Sequence, residues 1–196
     1  MRLLLLLFLL PLLSCQNSRP LKLAVNEVKD TSLTLPETTT DSAAIEFIEY
    51  SKLKINGKLD FYCKVKDLYA VLGEPDSLIK SMVICVSAFN TDSVYYAYFD
   101  NTFAETYKDN ADVTSVDFRS GRAWLVHPDF ILDRNTTLES LRKYFPKAVQ
   151  AASPVNTDIE DAIWINLQTA RQPTDFQWLL IFQYGKLVRI DLNTPC

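Results

Sequence analysis

From residue 45 onward, apolar and polar positions alternate in short runs, a pattern that predicts β-strands joined by tight turns. Three of these runs carry a glycine between alternating flanks, at Asn56-Gly57, Ser120-Gly121 and Tyr184-Gly185. Asn-Gly in this setting is the strongest short signal for a β-hairpin. The sequence therefore predicts three hairpins, and their glycines lie 64 residues apart both times.

Two other stretches repeat apolar residues every three or four positions, which is typical of short amphipathic helices. The first helix is predicted to end at Gly73 and the second at Pro146. Thr136 or Thr137 is predicted to cap the second helix. The two apolar stripes are Val65, Leu68, Val71 and Leu72, and Leu138, Leu141, Tyr144 and Phe145.

Strands are predicted after each helix, at 82–89 and 94–99 and again at 162–167 and 178–182. Short connections and glycine turns favour an α+β fold, in which helices pack on one face of an antiparallel sheet.

The same order of elements occurs twice, which predicts a tandem duplication with repeats at about 45–112 and 113–196. The alternative is a common theme that occurs twice by coincidence, because the two helices are 73 residues apart rather than 64.

The chain begins with an apolar segment, residues 3–10, that is too short for a membrane span of about 20 residues. Pro11, Leu12 and Leu13 extend this segment, and the sequence Leu12-Leu13-Ser14-Cys15 at its end resembles the lipobox of bacterial lipoproteins. The resemblance implies that residues 1–14 are a signal peptide and that Cys15 is lipidated. An ordinary signal peptide would need small residues at both −3 and −1, and a core helix would have a polar face.

Residues 16–44 are rich in Ser, Thr, Asp and Glu, a composition that does not bury enough apolar surface to fold. They predict a flexible tether of roughly 30 Å between Cys15 and a folded domain at 45–196. Gln16 in place of Asp resembles the sorting signal for the outer membrane of Gram-negative bacteria.

The net charge of −4 and the lack of a basic run argue against a nucleic-acid partner and against electrostatic docking on anionic lipid. We therefore expect the lipid anchor alone to supply the membrane contact.

Three cysteines remain besides Cys15, and the exported compartment permits a disulfide. Cys63 and Cys85 are the closest in sequence and are the predicted pair, with Cys196 as a rival partner and buried free thiols as the alternative. No Cys-x-x-Cys pair exists and His127 is the sole histidine, so no metal site or other cofactor is predicted.

The sequence contains few of the motifs that a catalytic site requires. His127 is the one imidazole base, and no Gly-x-Ser-x-Gly motif accompanies it. A carboxylate hydrolase would require two of Asp117, Asp129 and Asp133 to converge. Asp109-Asn110-Ala111-Asp112 lacks the later glycine and glutamate of a calcium loop. We predict no catalytic residue.

The strand 94–99 offers the candidate binding surface, since Tyr96 and Tyr98 face away from Ala97 and Phe99 on a strand. Exposed tyrosines are favoured at protein interfaces. Three tryptophans within strand patterns are predicted to be core residues: Trp124, Trp164 and Trp178.

The segment Asp67-Leu68-Tyr69-Ala70-Val71-Leu72-Gly73-Glu74-Pro75 resembles the helical units of the beta-lactamase inhibitor proteins and of the small lipoprotein of the barrel assembly machine. This resemblance implies a curved sheet whose open face binds another protein. The expected function is therefore a non-enzymatic binding module of the cell envelope, in assembly or in an immunity or inhibitor role. A carboxylate hydrolase and a structural or adhesin subunit are the alternatives.

Overall fold

The computed structural model describes residues 45–80 and 94–193. Within these ranges the chain forms two antiparallel sheets, three short α-helices and one 3-10 helix, Tyr50–Lys52, which confirms the predicted α+β class. The elements are β1 Lys54–Ile55, β2 Tyr62–Lys64, α1 Val65–Leu72, β3 Ser77–Lys80, β4 Val94–Phe99, β5 Thr102–Tyr107, β6 Asn110–Asp117, β7 Leu125–His127, β8 Phe130–Leu132, α2 Leu138–Leu141, α3 Pro146–Gln150, β9 Ser153–Pro154, β10 Ala162–Gln168, β11 Gln177–Gln183 and β12 Lys186–Asn193.

Several predictions fall outside the described residues. They are the signal peptide at 1–14, the lipidated Cys15, the tether at 16–44, the strand at 82–89, and the cysteines Cys85 and Cys196. Among the described helices, none has the length and apolar character needed to cross a bilayer.

The large sheet has the strand order β3-β4-β5-β6-β12-β11-β10-β9, and β2 also pairs with β6. Residues 115–117 of β6 pair with β12, whereas residues 110–112 pair with β2. The sheet therefore forks along β6, since one neighbour replaces the other on the same edge of that strand.

The small sheet has the order β1-β7-β8 and joins the same core as the large one. That core also contains the buried residues of all three helices, among them Leu68 of α1, Leu141 of α2 and Val149 of α3. The helices and the small sheet therefore cover one face of the large sheet, the core face. We call the opposite side of the large sheet the outer face.

The predicted first helix is confirmed as α1, which buries Leu68 and Leu72 and ends at Gly73 with φ of +81°. The second prediction is right at its start, because the Thr137 hydroxyl accepts a hydrogen bond from the backbone N–H of Ser140 at 3.0 Å. It is wrong at its end: α2 stops at Leu141, and Pro146 opens α3. Proline suits that first helical position because its φ is already helical and no N–H is needed there.

The three predicted glycine turns form different structures. Tyr184-Gly185 forms the predicted hairpin between β11 and β12, with φ of +51° and +76° at its two central residues. Asn56-Gly57 forms a minimal hairpin, closed by an antiparallel bridge between Ile55 and Leu59, and β1 pairs with β7 as well. Ser120-Gly121 is not a hairpin, because it carries the chain from the large sheet to the small one. Since the turns occupy unlike positions, the tandem duplication is not confirmed.

Of the three tryptophans, Trp178 is fully buried as predicted, and its indole N–H donates to the carbonyl of Ile48 at 2.8 Å. Trp124 is 40% exposed, so its assignment to the core was wrong. It precedes Leu125, whose side chain fills the core, and alternation turns the tryptophan outward. Trp164 is half-buried on the outer face, where its indole donates to the Ser153 hydroxyl at 2.9 Å.

Candidate functional site

Three aromatic rings meet on the outer face of the large sheet. Ala97 and Phe99 of β4 are buried in the core, so Tyr96 and Tyr98 face the other way, as alternation predicts. Phe103 of β5 lies directly across from Tyr98. Its ring centroid is 5.0 Å from that of Tyr96 and 5.3 Å from that of Tyr98. All three rings are half-buried, and we call them the aromatic patch.

The aromatic patch continues to the edge of the described sheet. Ile79 of β3 lies opposite Tyr96 and is 53% exposed, while its neighbour Leu78 is 51% exposed on the other face. Within the described strands, β3 is the last at this end of the sheet. Exposed apolar side chains on an edge strand are typical of surfaces that pair with another chain.

Two carboxylates adjoin the aromatic patch. Glu105 lies two residues beyond Phe103 on β5 and pairs directly with Asp112 of β6. Burial raises the pKa of Asp112, and burial followed by the charge of Asp112 raises the pKa of Glu105. Like charges directly across a strand pair are unfavourable, so this arrangement does not serve stability.

The far end of the outer face is covered. Residues from the loop after β9 and from β10 to β12 form a second apolar cluster of Ile159, Ala162, Ile181 and Val188. Arg189 fastens that loop, because its Nη1 donates to Asp158 Oδ1 at 2.8 Å and its Nε to Asp191 Oδ2 at 3.0 Å. The loop therefore covers this end of the sheet.

No protein-family model, no curated protein and no solved structure matches this chain.

The three carboxylates considered for a hydrolase do not form a common site. Asp117 accepts hydrogen bonds from the Nε of Arg119 at 2.8 Å and from its backbone N–H at 2.9 Å. Asp129 lies 3.5 Å from His127 Nδ1, and Asp133 accepts the backbone N–H of Asn135 at 2.8 Å. Each carboxylate orders its own turn, so their placement gives no support to a two-carboxylate mechanism.

The His127 side chain is packed within the fold. Its ring stacks on Phe130 with centroids 4.4 Å apart and an interplanar angle of 15°. Its side chain is 11% exposed, and burial lowers its pKa. The imidazole Nδ1 accepts the backbone N–H of Asp129 at 3.2 Å.

The calcium-loop candidate is a turn followed by a strand. Asn110 Oδ1 accepts a hydrogen bond from Lys64 Nζ at 2.8 Å, Ala111 is buried, and Asp112 lies on β6. Throughout the described ranges, no three His, Cys, Asp or Glu side chains come together as metal ligands.

Burial raises the pKa of the Cys63 thiol to about 12, and Cys63 has no disulfide partner within residues 45–80 and 94–193. Its two suggested partners lie outside the described residues, so the pairing of Cys63 with Cys85 stays a prediction.

Neither Phe103 nor Glu105 was predicted from the sequence, and Asp112 was considered only as part of the calcium-loop candidate. A signal was present, since Thr102–Tyr107 alternates and follows the strand of Tyr96 and Tyr98 after two residues, Asp100 and Asn101. The turn contains no glycine, and it was not recognised. A hairpin there would have placed Phe103 across from Tyr98.

Proposed function

We propose that the protein is a lipoprotein anchored to the cell envelope through Cys15, and that it binds a protein partner with the aromatic patch on its outer face. The observation that carries the proposal is the clustering of Tyr96, Tyr98 and Phe103 on the side of the sheet opposite the helices.

Aromatic side chains suit this role because each presents a large contact area and loses little conformational entropy on binding. Tyrosine also keeps a hydroxyl for hydrogen bonding, so it tolerates water in the unbound state. The rings of the aromatic patch already pack against one another, so part of the ordering cost of an interface is met before binding.

The tether predicted between Cys15 and the folded domain fits the same role. A tether of residues 16–44 would reach roughly 30 Å, enough to hold the domain clear of lipid head groups and leave its outer face accessible to a neighbour. The lipid would set where the protein works, and the aromatic patch would select what it contacts.

The proposal is tested by comparing the lipidated wild type with Tyr98→Ser in envelope membranes, after mild cross-linking and purification. We expect wild type to hold one partner in fixed stoichiometry and Tyr98→Ser to retain at least tenfold less of it. Tyr184→Ser is the matched control, because Tyr184 is 79% exposed in a distant turn. Equal retention by all three proteins would refute the proposal.

A further inference from the structure

A cleft of about 400 Å³ lies at the fork of the large sheet, where β2 replaces β12 beside β6. Volumes of this order are typical of ligand pockets. We call it the fork cleft. Its lining includes Tyr50, Tyr62, Asp112, Thr169, Phe176 and Leu192.

Asp112 is the charged group among the described lining residues. Across the described residues, no hydrogen bond or ion pair to its carboxylate is found, and Lys64, on the neighbouring strand, donates to Asn110 instead. Burial raises the pKa of Asp112, as expected for a carboxylate without a compensating partner. A half-buried carboxylate without a partner costs free energy that a bound cation would recover.

Three aromatic side chains, Tyr50, Tyr62 and Phe176, line the cleft together with this carboxylate. Tyr50 is fixed by stacking on Trp178, with centroids 5.7 Å apart and planes 12° apart. Tyr62 and Phe176 are each 49% exposed at the cleft. Aromatic faces beside a carboxylate attract an organic cation by both cation–π and direct charge interactions.

The wall that carries Phe176 is held in place by hydrogen bonds. The Thr174 hydroxyl donates to the Phe176 carbonyl at 2.8 Å, and the Thr169 hydroxyl donates to the same oxygen at 3.1 Å. These bonds fix the turn between β10 and β11, so the cleft is built before any ligand arrives.

We propose that the fork cleft receives the cationic end of a lysine or arginine side chain from the protein partner. The apolar rings suit the alkyl stem of such a side chain, and Asp112 meets its charged head. The inference rests on the proposed function, and the geometry links the two sites: Asp112 pairs with Glu105, which shares β5 with Phe103 of the aromatic patch.

The cleft is tested apart from the partner, with the peptides acetyl-Gly-Lys-Gly-amide and acetyl-Gly-Arg-Gly-amide. The full lipidated protein is labelled with 5-fluorotryptophan in detergent micelles, and the fluorine resonance of Trp178, behind Tyr50, reports binding. We expect both peptides to shift this resonance with a Kd on the order of 1 mM. The norleucine analogue, which keeps the stem without the charge, should shift it at least tenfold less.

Two variants sharpen the test. Asp112→Asn should weaken binding of both peptides at least tenfold, while Asp109→Asn, an exposed carboxylate in the adjoining turn, should leave it unchanged. Equal binding of the norleucine peptide would overturn the assignment of a cation. Binding of free butylammonium as tight as that of the lysine peptide would overturn the assignment of a side chain and point to a small amine.

The two proposals fail separately. If the basic peptides do not bind but Tyr98→Ser still loses the partner, the fork cleft proposal is wrong and the aromatic patch stands. If the peptides bind but no partner depends on Tyr98, the proposed function is wrong and the cleft cannot be assigned to that partner.

Discussion

Arg122 donates a hydrogen bond from its Nε to the carbonyl oxygen of Leu72, the last residue of α1, at 2.7 Å. Its Nη2 donates to the carbonyl of Glu74 at 2.8 Å, and its guanidinium lies 5.4 Å from the ring centroid of Phe99. The last carbonyls of a helix lack partners within the helix. One side chain from the link between the two sheets therefore completes the end of α1.

We expect Arg122→Ala to lower the free energy of unfolding by about 2 kcal/mol, because it leaves the carbonyls of Leu72 and Glu74 without their donors. Urea unfolding measures this change. Arg122→Lys should recover a minor part, since an ammonium lacks the planar set of donors. Arg171→Ala, at an exposed position, is the control and should stay within about 0.5 kcal/mol of wild type. A similarly small effect for Arg122→Ala would contradict the assigned role.

The start of the folded domain is predicted at residue 45. The Glu46 carboxylate accepts the backbone N–H groups of Lys147 and Ala148 at 2.9 and 2.7 Å, and so caps α3. The backbone carbonyl of Ile48 accepts a hydrogen bond from the indole N–H of Trp178. We expect a chain of residues 45–196 to unfold cooperatively, and a chain of 50–196 to lose several kcal/mol or fail to fold. Thermal unfolding followed by near-UV circular dichroism distinguishes them, and equal stability would be inconsistent with this boundary.

Asp112→Asn is expected to stabilise the protein at pH 7 by roughly 0.5–1 kcal/mol, because it removes a half-buried charge opposite Glu105. The folded-state pKa of Asp112 is raised, so the folded protein holds this proton more tightly than the unfolded chain. The penalty in wild type therefore appears as pH rises above about 4, the ordinary aspartate value.

Urea unfolding at pH 4 and pH 7 checks the expectation for Asp112. The gain from Asp112→Asn should shrink at pH 4, and Asp109→Asn should show no such change. Stabilisation that is the same at both pH values would mean that the charge is not its cause.

Cys15→Ala is expected to leave an uncleaved precursor without lipid, since the proposed anchor forms on that thiol. Metabolic labelling with a radioactive fatty acid and the electrophoretic mobility of the protein measure both effects. Ser14→Ala, one position earlier, keeps the thiol and a small residue before it, and should still be labelled. Normal processing of Cys15→Ala would refute the anchor.

The sequence predicted the fold where local geometry decides it. Tyr184-Gly185 forms a hairpin because both residues take positive φ, which a glycine and its neighbour accept in a two-residue turn. The faces of Tyr96 and Tyr98 followed from the two-residue period of a strand. Helix α1 followed from its apolar stripe and from Gly73.

The sequence failed where distant contacts decide the structure. Ser120-Gly121 resembles a hairpin turn, but Arg122 beyond it is held by the end of α1, some 50 residues earlier in the chain. The hairpin turn after β5 was missed because a lysine, Lys108, takes the positive φ there. The fork cleft joins Tyr50, Asp112 and Phe176, and no local pattern connects residues so far apart.

Photo-cross-linking from the outer face tests the central claim most directly. A photoreactive phenylalanine derivative replaces Tyr98 in one strain and Tyr184 in another, and cells are irradiated with the lipidated protein in place. We predict one discrete cross-linked product from position 98 that is absent from position 184 and requires light. No product from position 98, or the same product from both positions, would contradict a protein-binding role for this face.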